Sequence, residues 1–246
     1  MSVDHAALTH ILERIGSFSQ VVWDFDGVLA ETEAFHQESY RRVALTRAFE
    51  PEGDWYTPLI GNTAAENWRS LVDSGLAATE AEIPTLESER ERVFASLSGD
   101  GLPLSGIGAI LIPAFTASGT KQEVISNGDL TLIRASIKRW GYDHVLQLVH
   151  RNPAEDKRAL LQARARPAVI TFDDTDRYLR AAEAAGALAV GVRHAHNAHS
   201  KLTNLVLPIN VSHVTAQPSR IPPQPVRHTQ ESGVAAAASI AERGSS

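Results

Sequence analysis

Two aspartates, Asp24 and Asp26, close the apolar run Val21-Val22-Trp23, and Gly27 follows at once. Alternate residues of a strand point to the same side. Both carboxylates can therefore face one pocket at the strand's carboxyl end. Unpaired buried charge is costly. A divalent cation answers that cost, and a cation held by carboxylates suggests phosphate chemistry. More reactive groups follow the later apolar runs. These are Ser126-Asn127-Gly128, the stretch Arg151-Asn152-Pro153-Ala154-Glu155-Asp156-Lys157, and Asp173, Asp174 and Asp176. Acids, a hydroxyl and a lysine suit phosphoryl transfer through a carboxylate nucleophile, with a metal and a cation to offset charge. The chain has no cysteine, which excludes disulfides, thiolate metal sites and a cysteine nucleophile.

The elements that must position these groups are legible in outline. Leu8, Ile11, Leu12 and Ile15 mark a short amphipathic helix over 4–15. Gln20 to Asp24 reads as a continuous apolar strand, the pattern of a sheet covered on both faces. From Glu31 to Gly101 the apolar spacing is helical, with Gly and Pro as punctuation. Within it Thr79 to Arg92 is rich in glutamate and arginine and reads as a solvated helix face. From Leu102 onward helices and strands alternate. Strands are predicted at Glu123–Ser126, Val145–Val149, Ala168–Phe172 and Leu188–Val192. The intervening helices are predicted at Ile107–Ser118, Leu130–Trp140, Glu155–Arg164 and Tyr178–Ala185. Such alternation implies a parallel sheet, with the helical block as an insertion after the first strand. Ligands of open α/β sheets bind outside the carboxyl ends of the strands. All the groups named above stand there. Beyond Asn210, prolines among Ser, Gln and Arg read as a linker or flexible tail over 211–246.

With 246 residues, 43% of them hydrophobic, the chain can bury a substantial core. A net charge of −6 gives no basic face, so nucleic-acid binding is not expected. No apolar run approaches a membrane span, and no basic stretch leads into an apolar one near Met1. A soluble, cytoplasmic protein without membrane association is expected. The sequence leaves oligomeric state open.

Asp24-Phe25-Asp26-Gly27-Val28-Leu29-Ala30-Glu31-Thr32 resembles the first motif of the haloacid dehalogenase superfamily, in its phosphatase branch with a helical cap. Val124-Ile125-Ser126-Asn127-Gly128 resembles the second motif. The resemblance covers about residues 18–195 and implies a Rossmann-like three-layer α/β core over 1–30 and 102–210, with an α-helical cap over 31–101. It further implies that Asp24 attacks phosphorus to form an aspartyl-phosphate. Asp26 then protonates the leaving oxygen and activates water. Ser126 and Asn127 hold phosphate, and Mg²⁺ binds Asp24, the Asp26 backbone carbonyl and an acid of the fourth motif. Two motifs depart from the pattern. Where many capped members write Lys-Pro, this chain has Asn152-Pro153. Lys157 is the first choice for the third-motif cation, with Arg151 as substitute. In the fourth motif Asp173 and Asp174 are paired, and Tyr178 stands where a second acid is usual. Asp174 is the first choice of metal ligand and Asp173 the second, while Asp176 reads as a helix cap.

The implied substrate is a small phosphorylated metabolite. The alternatives are a phosphomutase, which shares every catalytic residue, and a binding protein that kept the fold. A dehalogenase is disfavoured by Asp26, and a lysine-dependent phosphonate hydrolase by the absence of lysine from 31–101. Other groups carry weaker signals. His194, His196 and His199 read as an exposed loop. Glu33 and His36 face either the substrate or a solvated hinge. Trp55, Tyr56 and Arg69 flank the cap turn Leu59–Thr63, where leaving-group readers or core aromatics both fit. Gly106-Ile107-Gly108 lacks the third glycine of a dinucleotide loop and no strand precedes it.

Overall fold

A computed structural model describes residues 5–60, 62–99, 101–149, 156–198, 202 and 205–209. The predicted tail over 211–246, His199 and Arg151 lie outside the described residues. Six parallel strands form one sheet in the order β3-β2-β1-β4-β5-β6. They are β1 (Gln20–Trp23), β2 (Lys121–Val124), β3 (Leu146–Leu148), β4 (Val169–Asp173), β5 (Leu188–Arg193) and β6 (Val206–Pro208). The chain runs one way from β1 to β3 and then returns past β1, so β1 and β4 flank the topological switch point. That crevice is where open α/β sheets bind ligands.

The predicted three-layer core follows from alternation along each strand. Val21 and Trp23 of β1, Ile170 and Phe172 of β4, and Val190 and Val192 of β5 enter one hydrophobic cluster. It also holds residues of α1 (His5–Glu13), α5 (Gly106–Ala117) and α6 (Leu130–Arg139). Val22, Val169 and Ala189 enter a second cluster with Leu161 of α7 (Lys157–Arg164) and Leu179 of α8 (Asp176–Ala184). Neighbouring strand residues thus face opposite helical layers. Trp23 and Phe172 stack at 4.4 Å between ring centres, and the indole N–H donates to Gln122.

The segment between β1 and α5 is helical, as predicted. It holds α2 (Glu33–Thr46), α3 (Ala64–Asp73) and α4 (Ile83–Ser98). Thr63 starts α3 through a capping box with Glu66. Tyr40, Val43, Tyr56, Trp68, Leu71 and Leu86 form a third cluster that belongs to this segment.

Several boundaries differ from the sequence reading. Strand β2 starts two residues earlier than predicted and ends before the Ser126 turn. Its polar residues hid it: Gln122 bonds Trp23, Ile112 and Thr116, and Glu123 is held by Lys121 and Arg164. Strand β6 was not foreseen, because only three residues pair. Thr175 occupies the N-cap of α8; Asp176 is its first residue and pairs with Arg180 at 2.7 Å. Gly106 to Gly108 open α5 behind the cap Ser105, whose hydroxyl accepts from the Gly108 N–H at 3.1 Å.

Candidate active site

Strand register builds the site. Trp23 is level with Val124 on one side and Phe172 on the other. The next residues are therefore neighbours: Asp24 after β1, Ile125 and Ser126 after β2, and Asp173 and Asp174 at the end of β4. The Asp24 N–H donates to the Phe172 carbonyl at 2.9 Å and extends the ladder by one residue.

Helix α7 starts behind the cap Asp156, and its first residue is Lys157. This places the ammonium in the crevice. Lys157 Nζ lies 2.7 Å from Asp24 Oδ2 and 2.8 Å from Asp173 Oδ2, with 2% of its side chain exposed. The ammonium also sits 4.4 Å from the centre of the Tyr178 ring. Tyr178, at the place of a second acid, thus supplies an aromatic face to the same cation. Its hydroxyl accepts from Asn127 Nδ2 at 3.1 Å. Lys157, the first choice of the sequence for a cation here, thus lies against the Asp24 carboxylate.

Burial pushes the Asp24 carboxyl well above the usual range; Lys157 opposes the rise, while Asp173 and Asp174 add to it. Asp173 is raised to about 6, first by burial and then by Asp174, again against Lys157. Burial works against the Lys157 ammonium, but the Asp173 and Asp24 carboxylates outweigh it and hold the group firmly protonated. Two carboxylates thus share one ammonium, and Asp174 stands beside them. One oxygen each from Asp24, Asp173 and Asp174 lies within 4.8 Å of the others. The surplus negative charge and oxygen donors fit a hard divalent cation.

Asp26 faces away from that trio. Ser126 Oγ donates to its Oδ2 at 3.2 Å, and His36 Nε2 lies 3.8 Å from its Oδ1. Burial raises the Asp26 carboxyl, but His36 and Ser126 outweigh it and hold it below the usual range. Arg90 Nη1 lies 3.3 Å from His36 Nδ1. A guanidinium only donates, so His36 Nδ1 accepts and Nε2 carries the proton toward Asp26. Glycines make this packing possible. A Cβ on Gly128 would sit 2.8 Å from Asp26 Oδ2, and one on Gly27 would sit 2.5 Å from Asp174 Oδ2, where φ is also +70°.

A cavity of about 820 Å³ opens from Asp26, Asn127 and Gly128 toward the helical segment. His36, Tyr40, Tyr56, Asn67, Glu87 and Arg90 line its far side. His36 therefore lines the cavity, with its Nε2 beside Asp26. Tyr56 also lines the cavity, and its hydroxyl donates to Glu33 at 2.7 Å. Trp55 packs against the aromatic cluster of the helical segment, whereas Arg69 pairs with exposed Glu80. The charged stretch over 79–92 is not solvated throughout. Arg90 and Glu87 have 11% and 21% of their side chains exposed, lie 2.6 Å apart and line the cavity.

The sequence reading placed His194 in an exposed loop; the structure corrects this. His194 is 8% exposed, and its Nε2 lies 3.0 Å from Asp174 Oδ2. Asn197 fixes the turn, accepting from the His194 N–H at 2.9 Å and donating to the Val192 carbonyl at 2.8 Å. The strand-end rule pointed here, since His194 directly follows β5.

No protein-family model and no curated protein matches the chain. Solved structures do. CbbY from Rhodobacter sphaeroides in complex with phosphate is 20% identical, with a TM-score of 0.62 over 77% of this chain and 93% of that one. A β-phosphoglucomutase from Clostridium difficile is 20% identical, with a TM-score of 0.58 over 77% of this chain and 90% of that one. A haloacid dehalogenase-like hydrolase from Streptococcus pneumoniae is 13% identical, with a TM-score of 0.60 over 77% of this chain and 93% of that one. The chain has the fold of these proteins: a Rossmann-like parallel-sheet core with flanking helices.

Proposed function

We propose that the chain is a Mg²⁺-dependent hydrolase of a small phosphomonoester, working through an aspartyl-phosphate on Asp24. One observation carries this reading. A buried ammonium clamps Asp24 from one side, while Asp26, two residues on, faces the cavity in a separate hydrogen-bond network. Two carboxylates in unlike surroundings suit two unlike roles.

In the first step an Asp24 oxygen attacks phosphorus, and the bond to the leaving oxygen breaks. Asp26 takes up the proton of the monoanionic phosphoester and passes it to that oxygen. In the second step water attacks the phosphorus of the aspartyl-phosphate, Asp26 takes the water proton, and the Asp24 carboxylate is released. Lys157 offsets repulsion between Asp24 and the phosphate. Ser126 Oγ, Asn127 and backbone amides beside them stand where phosphate oxygens would dock. Asp24, Asp174 and Asp173 would hold the cation with the Asp26 carbonyl, and the cation would supply positive charge against the phosphate. The helices of 31–101 would act as a cap that excludes water while the intermediate forms.

The cavity also constrains the leaving group. Carboxylates Glu33, Glu87, Glu91 and Asp129 line it, and Arg90 is already engaged by Glu87. A second phosphate would meet like charge there. This favours a polar leaving group without a second anion, and hydrolysis over a mutase that uses a bisphosphate. The test is phosphate release from a panel of phosphomonoesters, with and without Mg²⁺, for wild type, Asp24→Asn and Asp26→Asn. Mg²⁺-dependent release lost in Asp24→Asn supports the reading. A folded protein that binds Mg²⁺ yet releases phosphate from no ester sinks it, and turnover only with a sugar bisphosphate present assigns a mutase instead.

A further inference from the structure

We propose that Glu33, Asp174 and His194 form a cation site of mixed oxygen and nitrogen donors, distinct from the Asp24 side and selective for Mn²⁺, Co²⁺ or Zn²⁺ over Mg²⁺. One ligand atom from each of these three residues lies within 4.8 Å of the others. They come from separate elements: Glu33 opens α2, Asp174 follows β4, and His194 follows β5.

Charge argues for a cation. Among the described residues, no lysine or arginine makes an ion pair with Glu33 or Asp174; the imidazole at 3.0 Å serves Asp174 alone. Both core donors are withdrawn from water, with 6% of the His194 side chain and 10% of the Asp174 side chain exposed. Two carboxylates held this close without a cation repel each other.

The surroundings are those of a supported site. The Tyr56 hydroxyl donates to Glu33 Oε2 at 2.7 Å and orients that carboxylate. Thr175 Oγ1 donates to Asp174 Oδ1 at 3.0 Å, and Asn197 fixes the His194 backbone at 2.9 Å. Such outer hydrogen bonds are what orient metal ligands. Gly27 supplies an independent sign. A Cβ there would stand 2.5 Å from Asp174 Oδ2 and 3.2 Å from His194 Nε2, so only a bare backbone leaves both donor atoms room.

Donor chemistry sets the selectivity. Imidazole suits the later first-row ions, whereas Mg²⁺ prefers oxygen alone. The site shares Asp174 with the trio that includes Asp24, but its existence does not depend on phosphate-ester hydrolysis.

The test is Mn²⁺ binding to the full chain, by equilibrium dialysis and calorimetry, with circular dichroism as a folding control. Glu33→Gln and His194→Gln should each lose one bound Mn²⁺, and Asp24→Asn should keep that ion. Tyr56→Phe should weaken it about tenfold, the usual cost of losing an outer hydrogen bond. Mg²⁺ should compete for it poorly. Unchanged Mn²⁺ number and affinity in Glu33→Gln and His194→Gln would overturn the site, as would loss in only one of the two, or a wild type that binds no Mn²⁺. Should His194→Gln not fold, Glu33→Gln decides, since Glu33 is only half-buried on the first turn of a helix. Failure of the esterase assay alongside loss of Mn²⁺ in these variants would count against the hydrolase reading alone.

Discussion

Lys157 shows how much one residue carries at this site. It is the ammonium between Asp24 and Asp173, and the mutual contacts of the three groups offset much of their desolvation. Breaking a buried ion pair by removing one partner costs about 3–5 kcal/mol. Lys157→Met should destabilise the fold by that order at pH 8. The deficit should shrink as pH falls. With the ammonium gone, the Asp24 and Asp173 carboxyls titrate still higher, and Asp173 already sits at about 6 with Lys157 present. A carboxyl raised in the folded state binds protons more readily there than in the unfolded chain, so folding is favoured as it protonates. Urea titrations at pH 5 and pH 8 check this; an equal deficit at both would refute it. In the esterase assay kcat should fall about 10²–10³-fold, the cost of removing one preorganised charge-stabilising group. Lys157 was legible because its residue type and its place after the third strand both fitted. His194 was not, because a histidine in a sequence does not show whether its loop folds back under the sheet edge. Only the Asn197 turn, made through side-chain bonds, brings the ring beneath Asp174.

At the scale of elements, the cap helices are tied by short-range polar contacts that the sequence shows only as a charged stretch. Glu82 accepts from the Thr79 N–H at 2.8 Å and pairs with Arg47 at 2.9 Å. It thus joins the end of α2 to the turn that starts α4. Arg47 first, and then the Thr79 bonds, bring the Glu82 carboxyl down to about 2. Glu38 is likewise lowered to about 2 by Arg41 and Arg42 on the same helix. A carboxyl lowered in the folded state adds stability above its unfolded value, and that stability is lost as pH falls toward the folded value. For Glu82 the window runs from the ordinary 4.5 down to about 2. Glu82→Gln should therefore match wild type in melting temperature near pH 2 and fall below it above pH 5. A constant difference across that range would show that the carboxylate has no folded-state partner. Other elements misread the pattern for an opposite reason. Strand β2 buries Gln122 and Glu123, 3% and 4% exposed, whose polarity argues against a core strand until their partners Trp23 and Arg164 are seen. Long-range side-chain bonds are what sequence periodicity cannot report.

The whole molecule holds two kinds of core. The sheet is sandwiched by clusters that run through nearly every strand, whereas Tyr40, Val43, Tyr56, Trp68, Leu71 and Leu86 make a cluster among the cap helices alone. Helical spacing over 31–101 anticipated the helices that hold the second of these cores. It did not show that Phe35 and Phe94 of these helices pack against the core cluster of the sheet. A cluster confined to these helices should open as a unit below the free energy of global unfolding. Trp68 is its anchor: the indole is 0% exposed and its N–H donates to Glu87 at 2.9 Å. Truncating a buried tryptophan to alanine costs about 3–5 kcal/mol. In Trp68→Ala, amide exchange should therefore speed up through α2, α3 and α4 by about two to four orders of magnitude, at 1.4 kcal/mol per tenfold. Amides of β1 and β4, which exchange through global opening, should speed up by the same free energy, since that opening also unfolds the helices, yet stay better protected than the amides of α2, α3 and α4. The arrangement of the site gives this a functional consequence. His36 and Arg90 belong to the cap, while Asp24, Lys157 and Asp173 belong to the sheet. Loss of cap order alone should raise KM and weaken the tie between His36 and Asp26, yet leave the buried Lys157 clamp intact. If the β1 and β4 amides show no more protection than those of α2, α3 and α4, the two clusters melt as one, and the helical segment is part of a single cooperative fold.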